Sequence, residues 1–370
     1  MTQTRDGILA VAGSSSSEPQ HESSDRRRRC SVPWTRGHTA VLVCIAMLAG
    51  VFVVALGTGR YWVPPGQVAR ILVSELPLIE LSQTWTDTMY SAVVSVRLPR
   101  VVGAIFVGAA LAIAGATFQG IFRNPLVSPD LLGISNGAAV GAAAAILLRL
   151  PSITIQFTAG LAGLLTVFIT TRIPRLFRNN SPLMLVLAGV IMSGFMASLL
   201  GVAKFVADPQ NELAEIVFWT LGSLVPVAMS DIALVAVPMV LATTVLILLR
   251  WRVTLLSLGD AEAQSLGINV KRTRGVMILC ATVVTAGSVC LAGTIGWVGL
   301  VIPHLGRLII GDENRFLVPL SAALGALFMV VVDTLARTVT GSEIPLGVIT
   351  GILGAPLFIW FLSRQRAHVR

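Results

Sequence analysis

Long apolar runs separated by short polar breaks set the pattern of this chain. Ten runs are candidate membrane spans: 40–59, 98–119, 131–149, 152–171, 183–206, 231–249, 275–293, 297–310, 316–336 and 346–362. A spanning helix needs about 20 apolar residues. Residues 275–310 are apolar almost throughout, and as one helix at about 1.5 Å per residue they would far exceed a hydrocarbon core of roughly 30 Å. Gly293, Gly296, Gly299 and Pro303 offer places to break that stretch, so it reads as two spans, the second short and partly irregular. Irregular backbone survives at membrane depth only when buried in protein or lining a cavity. The fold class is therefore all-α, a polytopic membrane protein of about ten helices.

Composition agrees. The 370 residues are 55% apolar and only 12% charged, with a mean hydropathy of +0.83, against roughly 25% charge in soluble domains. The net charge of +9 comes from arginines that gather at one set of helix ends, so it does not point to nucleic acid. With the N-terminus inside, 20 of the 27 Lys and Arg residues fall on the cytoplasmic side. By the positive-inside rule both termini are then cytoplasmic. Residues 1–38, with Ser14 to Ser17 and Arg26 to Arg29 and few apolar positions, read as a disordered basic cytoplasmic tail. Residues 39–363 form the transmembrane domain, with a cytoplasmic loop at 250–274, and 364–370 a short cytoplasmic tail.

Small residues recur at helical spacing, at Gly133, Gly137 and Gly141 and again at Gly347 and Gly351. They suit close helix packing, which hydrophobicity cannot drive inside lipid. Spans two to five and seven to ten form two blocks. Both open after a basic residue, Arg100 and Arg274, and both contain a proline-marked connection, at Pro125/Pro129 and at Pro303. One block begins outside and the other inside, the arithmetic of an inverted repeat.

Enzyme chemistry finds little support. Both lysines, Lys204 and Lys271, lie outside any Gly-Lys-Ser/Thr phosphate loop. The four histidines are scattered, and no cysteine has metal-ligand spacing. Asp333 stands four residues before Arg337 and so shares its helix face; it reads as a structural ion pair, with a proton relay as the alternative. Glu343 is placed to pair with Arg337 or to cap the last span, and His304 reads as a hydrogen-bonded structural histidine.

Two features rise above this background. Within 250–274, the run Leu258-Gly259-Asp260-Ala261-Glu262-Ala263-Gln264-Ser265-Leu266-Gly267 predicts a short helix that Asp260 can cap and Gly267 can end. Such a helix cannot span; it is either a plain connector or a docking element for a cytoplasmic partner. Arg97, Arg100 and Arg337 lie at the outer ends of spans, against the positive-inside trend. They either snorkel to headgroups or meet an acidic external partner.

Taken in order, these motifs resemble a known family. They are Arg97-Leu98-Pro99-Arg100 with the run to Gln119, Asn124-Pro125-Leu126, and Leu132-Gly133-Ile134-Ser135-Asn136-Gly137-Ala138. Phe218-Trp219 with Leu221-Gly222-Ser223-Leu224, Leu258-Gly259 to Leu266-Gly267, Gly299-Leu300-Val301-Ile302-Pro303-His304, and Glu343-Ile344-Pro345-Leu346-Gly347 to Gly354-Ala355-Pro356-Leu357-Phe358 complete the set. Over roughly residues 40–363 the chain is similar to the FecCD-type, BtuC-like permeases of ABC importers for ferric siderophores, haem or cobalamin. The resemblance implies a membrane subunit without enzymatic activity, in a bacterial cytoplasmic membrane. It would pair with a second permease, identical or homologous, a dimer of cytoplasmic ATPases that use ATP and Mg, an extracytoplasmic substrate-binding protein, and membrane lipid. No cofactor is implied for this chain. Binding-protein docking carries onto Arg97, Arg100 and Arg337. Coupling to the ATPase carries onto Gly259, Asp260, Ala261, Glu262, Ala263, Gln264, Ser265, Leu266 and Gly267. The gate carries onto Asn124, Leu126, Asn180, Ser181 and Pro182, where Ser181-Pro182 departs from the polar pattern of the family. Ferric siderophore is the expected cargo, with haem and cobalamin as alternatives. An ion-coupled secondary transporter is the competing class, and a structural membrane anchor a third.

Overall fold

The computed structural model describes residues 34–75, 82–178, 181–340 and 343–367, which are helical or in connections. In chain order the helices are α1 (Trp34–Gly57), α2 (Pro65–Ser74), α3 (Asp87–Tyr90), α4 (Leu98–Phe122), α5 (Ile134–Leu147), α6 (Ser152–Leu176), α7 (Pro182–Val206) and α8 (Glu212–Leu221). They continue with α9 (Met229–Leu248), α10 (Arg250–Leu258), α11 (Asp260–Ser265), α12 (Val270–Ala292), α13 (Val298–Ile310), α14 (Asn314–Thr338) and α15 (Leu346–Ala367). A π-helical turn, Ser91–Arg97, leads into α4, and a 3₁₀ turn, Pro129–Leu132, leads towards α5.

Every expected span has a helix. Seven are long and apolar enough to cross a membrane, and three apolar helices are shorter: Ile134–Leu147, Val298–Ile310 and Leu346–Phe361. The stretch 275–310 breaks as expected, but between Gly293 and Trp297. Both residues have positive φ, 67° and 71°. Pro303 lies inside α13, where it interrupts nothing visible, so the glycines and Trp297 mark the break. α1 begins at Trp34, inside the segment expected to be tail; residues 1–33 lie outside the described residues.

The two blocks share a rhythm. A helix of 25 residues, an irregular entry and a helix of 14 precede two helices of 25 in the first. The second runs 23, 13, 25 and 22. The core lies around α4, almost all of whose residues are buried, against α12, α13 and α14. Its Gly/Ala-rich sequence explains why. A Cβ on Gly108 would stand 2.1 Å from the Gly325 carbonyl oxygen, and one on Gly115 would stand 1.9 Å from that of Gly299. Only glycine allows these backbones to touch, which is how helices gain contact in a solvent as apolar as their own side chains. The α5 glycines do the same against α6: a Cβ on Gly141 would lie 2.5 Å from the Thr158 carbonyl. By contrast α1, α7 and α9 leave most of their apolar side chains outward.

Candidate translocation and coupling sites

At one end of the bundle the three arginines expected on an exposed rim are turned inward. Arg97, Arg100 and Arg337 are only 6, 5 and 7% exposed. The π-helical turn delivers Arg97 beneath the end of α1, where Nη1 donates to the carbonyls of Leu56 (2.8 Å) and Gly57 (3.0 Å) and Nη2 donates to that of Tyr61. Arg337 donates to the Ala55 carbonyl (2.5 Å) and the Thr58 carbonyl (2.8 Å). The last carbonyls of a helix have no partner within it, and positive charge is favoured there. The two arginines thus close the C-terminus of α1. Arg100 joins α4 to α14: Nη2 and Nε donate to Asp333 Oδ1 at 2.8 and 3.2 Å, and Nη1 donates to the Glu343 carboxylate at 2.7–2.8 Å. Asp333 Oδ2 also lies 3.2 Å from Arg337 Nε, without hydrogen-bond alignment.

This arrangement corrects two expectations. The arginines form no open rim, because helix-end carbonyls and two acids occupy their donors. Glu343 pairs with Arg100, since the segment after α14 returns it to the start of α4. Asp333, fully buried between two arginines, is the structural ion pair expected of it.

At the opposite end, α10 and α11 form the loop between α9 and α12. Gly259 (φ +144°) precedes α11, and Gly267 (φ +80°) follows it. The Gly267 N–H donates to the Gln264 carbonyl (2.9 Å) and the Ile268 N–H to that of Ala263 (3.0 Å), the paired bonds of a Schellman stop. Gly267 therefore ends the helix as expected. Asp260 does not cap it; Gly259 holds that position and Asp260 is the first helical residue. Its carboxylate instead reaches sideways, accepting from Arg274 Nη2 at 2.8 Å and Nη1 at 3.3 Å, and standing 3.5 Å from Arg123 Nη2. Ala263 anchors α11 inward, while Ala261, Glu262, Gln264, Ser265 and Leu266 are exposed.

Arg123 is itself unusual: it adopts φ 53° at the end of α4, directly before Asn124 and Leu126 of the expected gate. Asn124 Oδ1 accepts the Leu126 N–H at 2.9 Å, closing a tight turn; Asn124, Pro125 and Leu126 are all exposed. Ser181 caps α7 by accepting the Met184 N–H (3.2 Å), with Pro182 next. Helix-start chemistry thus accounts for the departure noted at Ser181-Pro182. Asn180 lies outside the described residues.

Between these ends, broken backbone segments meet inside the bundle. The Ser223 N–H donates to the Ala292 carbonyl (2.8 Å), the Leu346 N–H to that of Gly222 (2.9 Å), and Thr294 Oγ1 to that of Thr220 (2.5 Å). A cavity of about 350 Å³ lies here, lined by Asp130, Ser135, Asn136, Thr220 and Thr294 together with Ala139, Leu200, Ile295 and Gly296. Ser135 Oγ donates to the Asp130 carboxylate. Irregular backbone lines a cavity, as membrane burial requires. Sequence reasoning passed over Asp130 as a site residue; its place directly after Pro129, in a break, was the available signal. It also missed Gln119, which donates to the Gly299 and Leu300 carbonyls (3.3 Å each) and accepts from Arg307 Nη1 (2.5 Å). His304 is buried against Phe358 and Phe361, ring centroids 6.1 and 5.0 Å away. Neither ring nitrogen has a hydrogen-bond partner among the described residues, so the expected hydrogen bond is replaced by aromatic packing.

Seven helices long and apolar enough to cross a membrane, three shorter apolar ones and a short helix presented at one end make this a polytopic helical membrane bundle. The chain belongs to the FecCD transport family, whose model matches residues 45–364. It is 37% identical over 327 residues to the molybdate import system permease protein MolB of Haemophilus influenzae, covering 87% of this chain and 93% of that protein. It is 44% identical over 275 residues to a probable iron chelatin transport system permease protein of Helicobacter pylori, covering 74% and 83%. A solved structure assigned as a metal-chelate type ABC transporter in an inward-facing conformation superposes with a TM-score of 0.78 at 34% identity, covering 88% of this chain and 99% of that one.

Proposed function

We propose that this permease passes ferric siderophores across a bacterial cytoplasmic membrane, driven by a separate pair of ATPase subunits. The carrying observation is the connection at Asp260. One carboxylate at the start of the exposed α11 touches both α12, through Arg274, and the gate turn, through Arg123. A partner pressing on α11 therefore moves the foot of a span and the gate together. The exposed Ala261, Glu262, Gln264, Ser265 and Leu266, with Leu258 beside them, offer that partner a mixed apolar and polar face. The basic bias of this side, and of both termini, supports reading it as the cytoplasmic side.

The central path is read as a space shared with a second permease, identical or homologous. A substrate-binding protein docks at the opposite end. There Arg100 is reached through Glu343, which is one-third exposed, so a partner's carboxylate meets Arg100 by exchange with Glu343. ATP and Mg act on the partner subunits alone. The iron-chelate cargo is supported by the iron chelatin relative and the metal-chelate type structure; the molybdate relative makes an oxyanion the competing cargo, with haem and cobalamin as further candidates.

Proteoliposomes test the reading. Vesicles holding this chain with its ATPase, loaded with a binding protein and radiolabelled ferric siderophore, accumulate iron only when ATP is enclosed. Vesicles with this chain alone accumulate none under a proton gradient. Uptake by the chain alone would overturn the ABC reading. ATP-driven uptake of molybdate, haem or cobalamin but not the chelate would overturn the cargo and leave the mechanism standing.

A further inference from the structure

A groove of about 890 Å³ runs between α6 and α12, and apart from Arg274 at its mouth nothing in the transport mechanism above uses it. Its walls are apolar: Leu161, Leu165 and Phe168 on α6 face Ile278, Leu279 and Val283 on α12. At one end they give way to Arg175, Lys271, Arg272 and Arg274, with no acidic residue in the lining. Arg274 is held by Asp260. Arg175, Lys271 and Arg272 are exposed, and among the described residues their side chains make no salt bridge or hydrogen bond. Arg172 adds a fifth cation just beyond the lining, its guanidinium 4.3 Å over the Phe168 ring. Gly275 belongs to the groove, and a Cβ there would meet nothing within 4 Å, so the missing side chain keeps the groove open just inside its basic mouth.

We propose that this groove is a binding site for one anionic phospholipid of the leaflet facing the basic end, the inner leaflet on the orientation proposed above. The match is in charge and in length. Residues 271–283 rise about 18 Å at 1.5 Å per residue, close to the roughly 15 Å depth of one leaflet's hydrocarbon. An acyl chain lies along the Leu and Phe walls, while the phosphate takes the three unpaired cations. Basic pockets between spans on the cytoplasmic side favour such headgroups. The site also borders the coupling machinery, since Arg274 lines the groove and binds Asp260 of α11. A seated lipid therefore braces the foot of α12 from the side opposite the ATPase contact.

The test uses the assembled transporter, purified in detergent and titrated with phosphatidylglycerol or phosphatidylcholine, with retained lipid counted by native mass spectrometry. Phosphatidylglycerol is retained at one per permease chain and phosphatidylcholine is not, and excess glycerol 3-phosphate does not displace it. The combined variant Arg175→Gln, Lys271→Gln and Arg272→Gln weakens retention by about 100-fold, at roughly one kcal/mol per charge. Gly275→Trp keeps every charge, fills the groove, and abolishes retention. Equal retention of both lipids, or retention unchanged in both variants, would overturn the proposal. A disulfide forming between two copies that each carry Leu279→Cys would give the groove to a second permease and overturn it as well.

Discussion

The Arg100–Asp333 knot and the Arg274–Asp260 knot are made of the same groups at the same 2.8 Å separation, yet they occupy different solvents. The first is sealed, its partners 5 and 0% exposed, and it ties α4 to α14 and, through Arg337, to the end of α1. The second is open on one side only, Asp260 being 42% exposed and Arg274 13%, with the more exposed Arg123 loosely attached at 3.5 Å. A buried ion pair contributes little over an apolar alternative but is costly to break one-sidedly. A solvated pair is weak and can be remade as its surroundings move. The sealed knot therefore holds a scaffold, while the wet one suits a part that has to shift during each transport cycle.

Removing single partners separates the two on one scale. Asp333→Asn leaves Arg100 and Arg337 buried with less counter-charge. It should cost about 3–5 kcal/mol, read as a lowered melting temperature of the nanodisc-embedded complex. An unchanged melt would mean that the scaffold does not depend on this knot. Arg97→Ala uncaps α1 and loses charged donors to its carbonyls, an expected loss of about 1.5–3 kcal/mol in the same assay. Faster protease cleavage in the segment after α1 would accompany it, and an untouched α1 end would remove the capping role. Glu343→Gln, at the water-facing edge of the sealed knot, should cost at most about 1 kcal/mol, because Asp333 still holds Arg100. A loss as large as that of Asp333→Asn would show that Glu343 is part of the lock rather than its exchangeable edge. Asp260→Ala should change stability least, by under about 1 kcal/mol and less still in high salt. ATP-driven uptake should nonetheless fall severalfold as the Arg123 and Arg274 connections are lost. Intact uptake would place the coupling elsewhere.

Much of the architecture was legible along the chain because lipid imposes a one-dimensional rule. Every span must be an apolar run of set length, so the ten helices, the division of 275–310 and the Gly267 stop could be read from local pattern. Gly293 and Trp297 took the break expected partly at Pro303. A proline six residues past the nearest irregularity still fits a helix, whereas positive φ at two nearby residues does not. The charged sites were legible as residues and not as roles. Arg97 and Arg337 stood out against the charge bias, but only packing showed that their nearest acceptors are the carbonyls that end α1.

The amino-acid order alone determined the class of solvent, the helices and their approximate ends, because hydropathy, glycine and proline act through neighbours in the chain. Tertiary structure decided which charges are sealed and which are wet. That choice brings Arg100 to Asp333 across 233 positions and Arg123 to Asp260 across the loop side of the bundle. The strength of a charge depends on the dielectric around it and on the donors and acceptors that reach it, and those are properties of the folded neighbourhood.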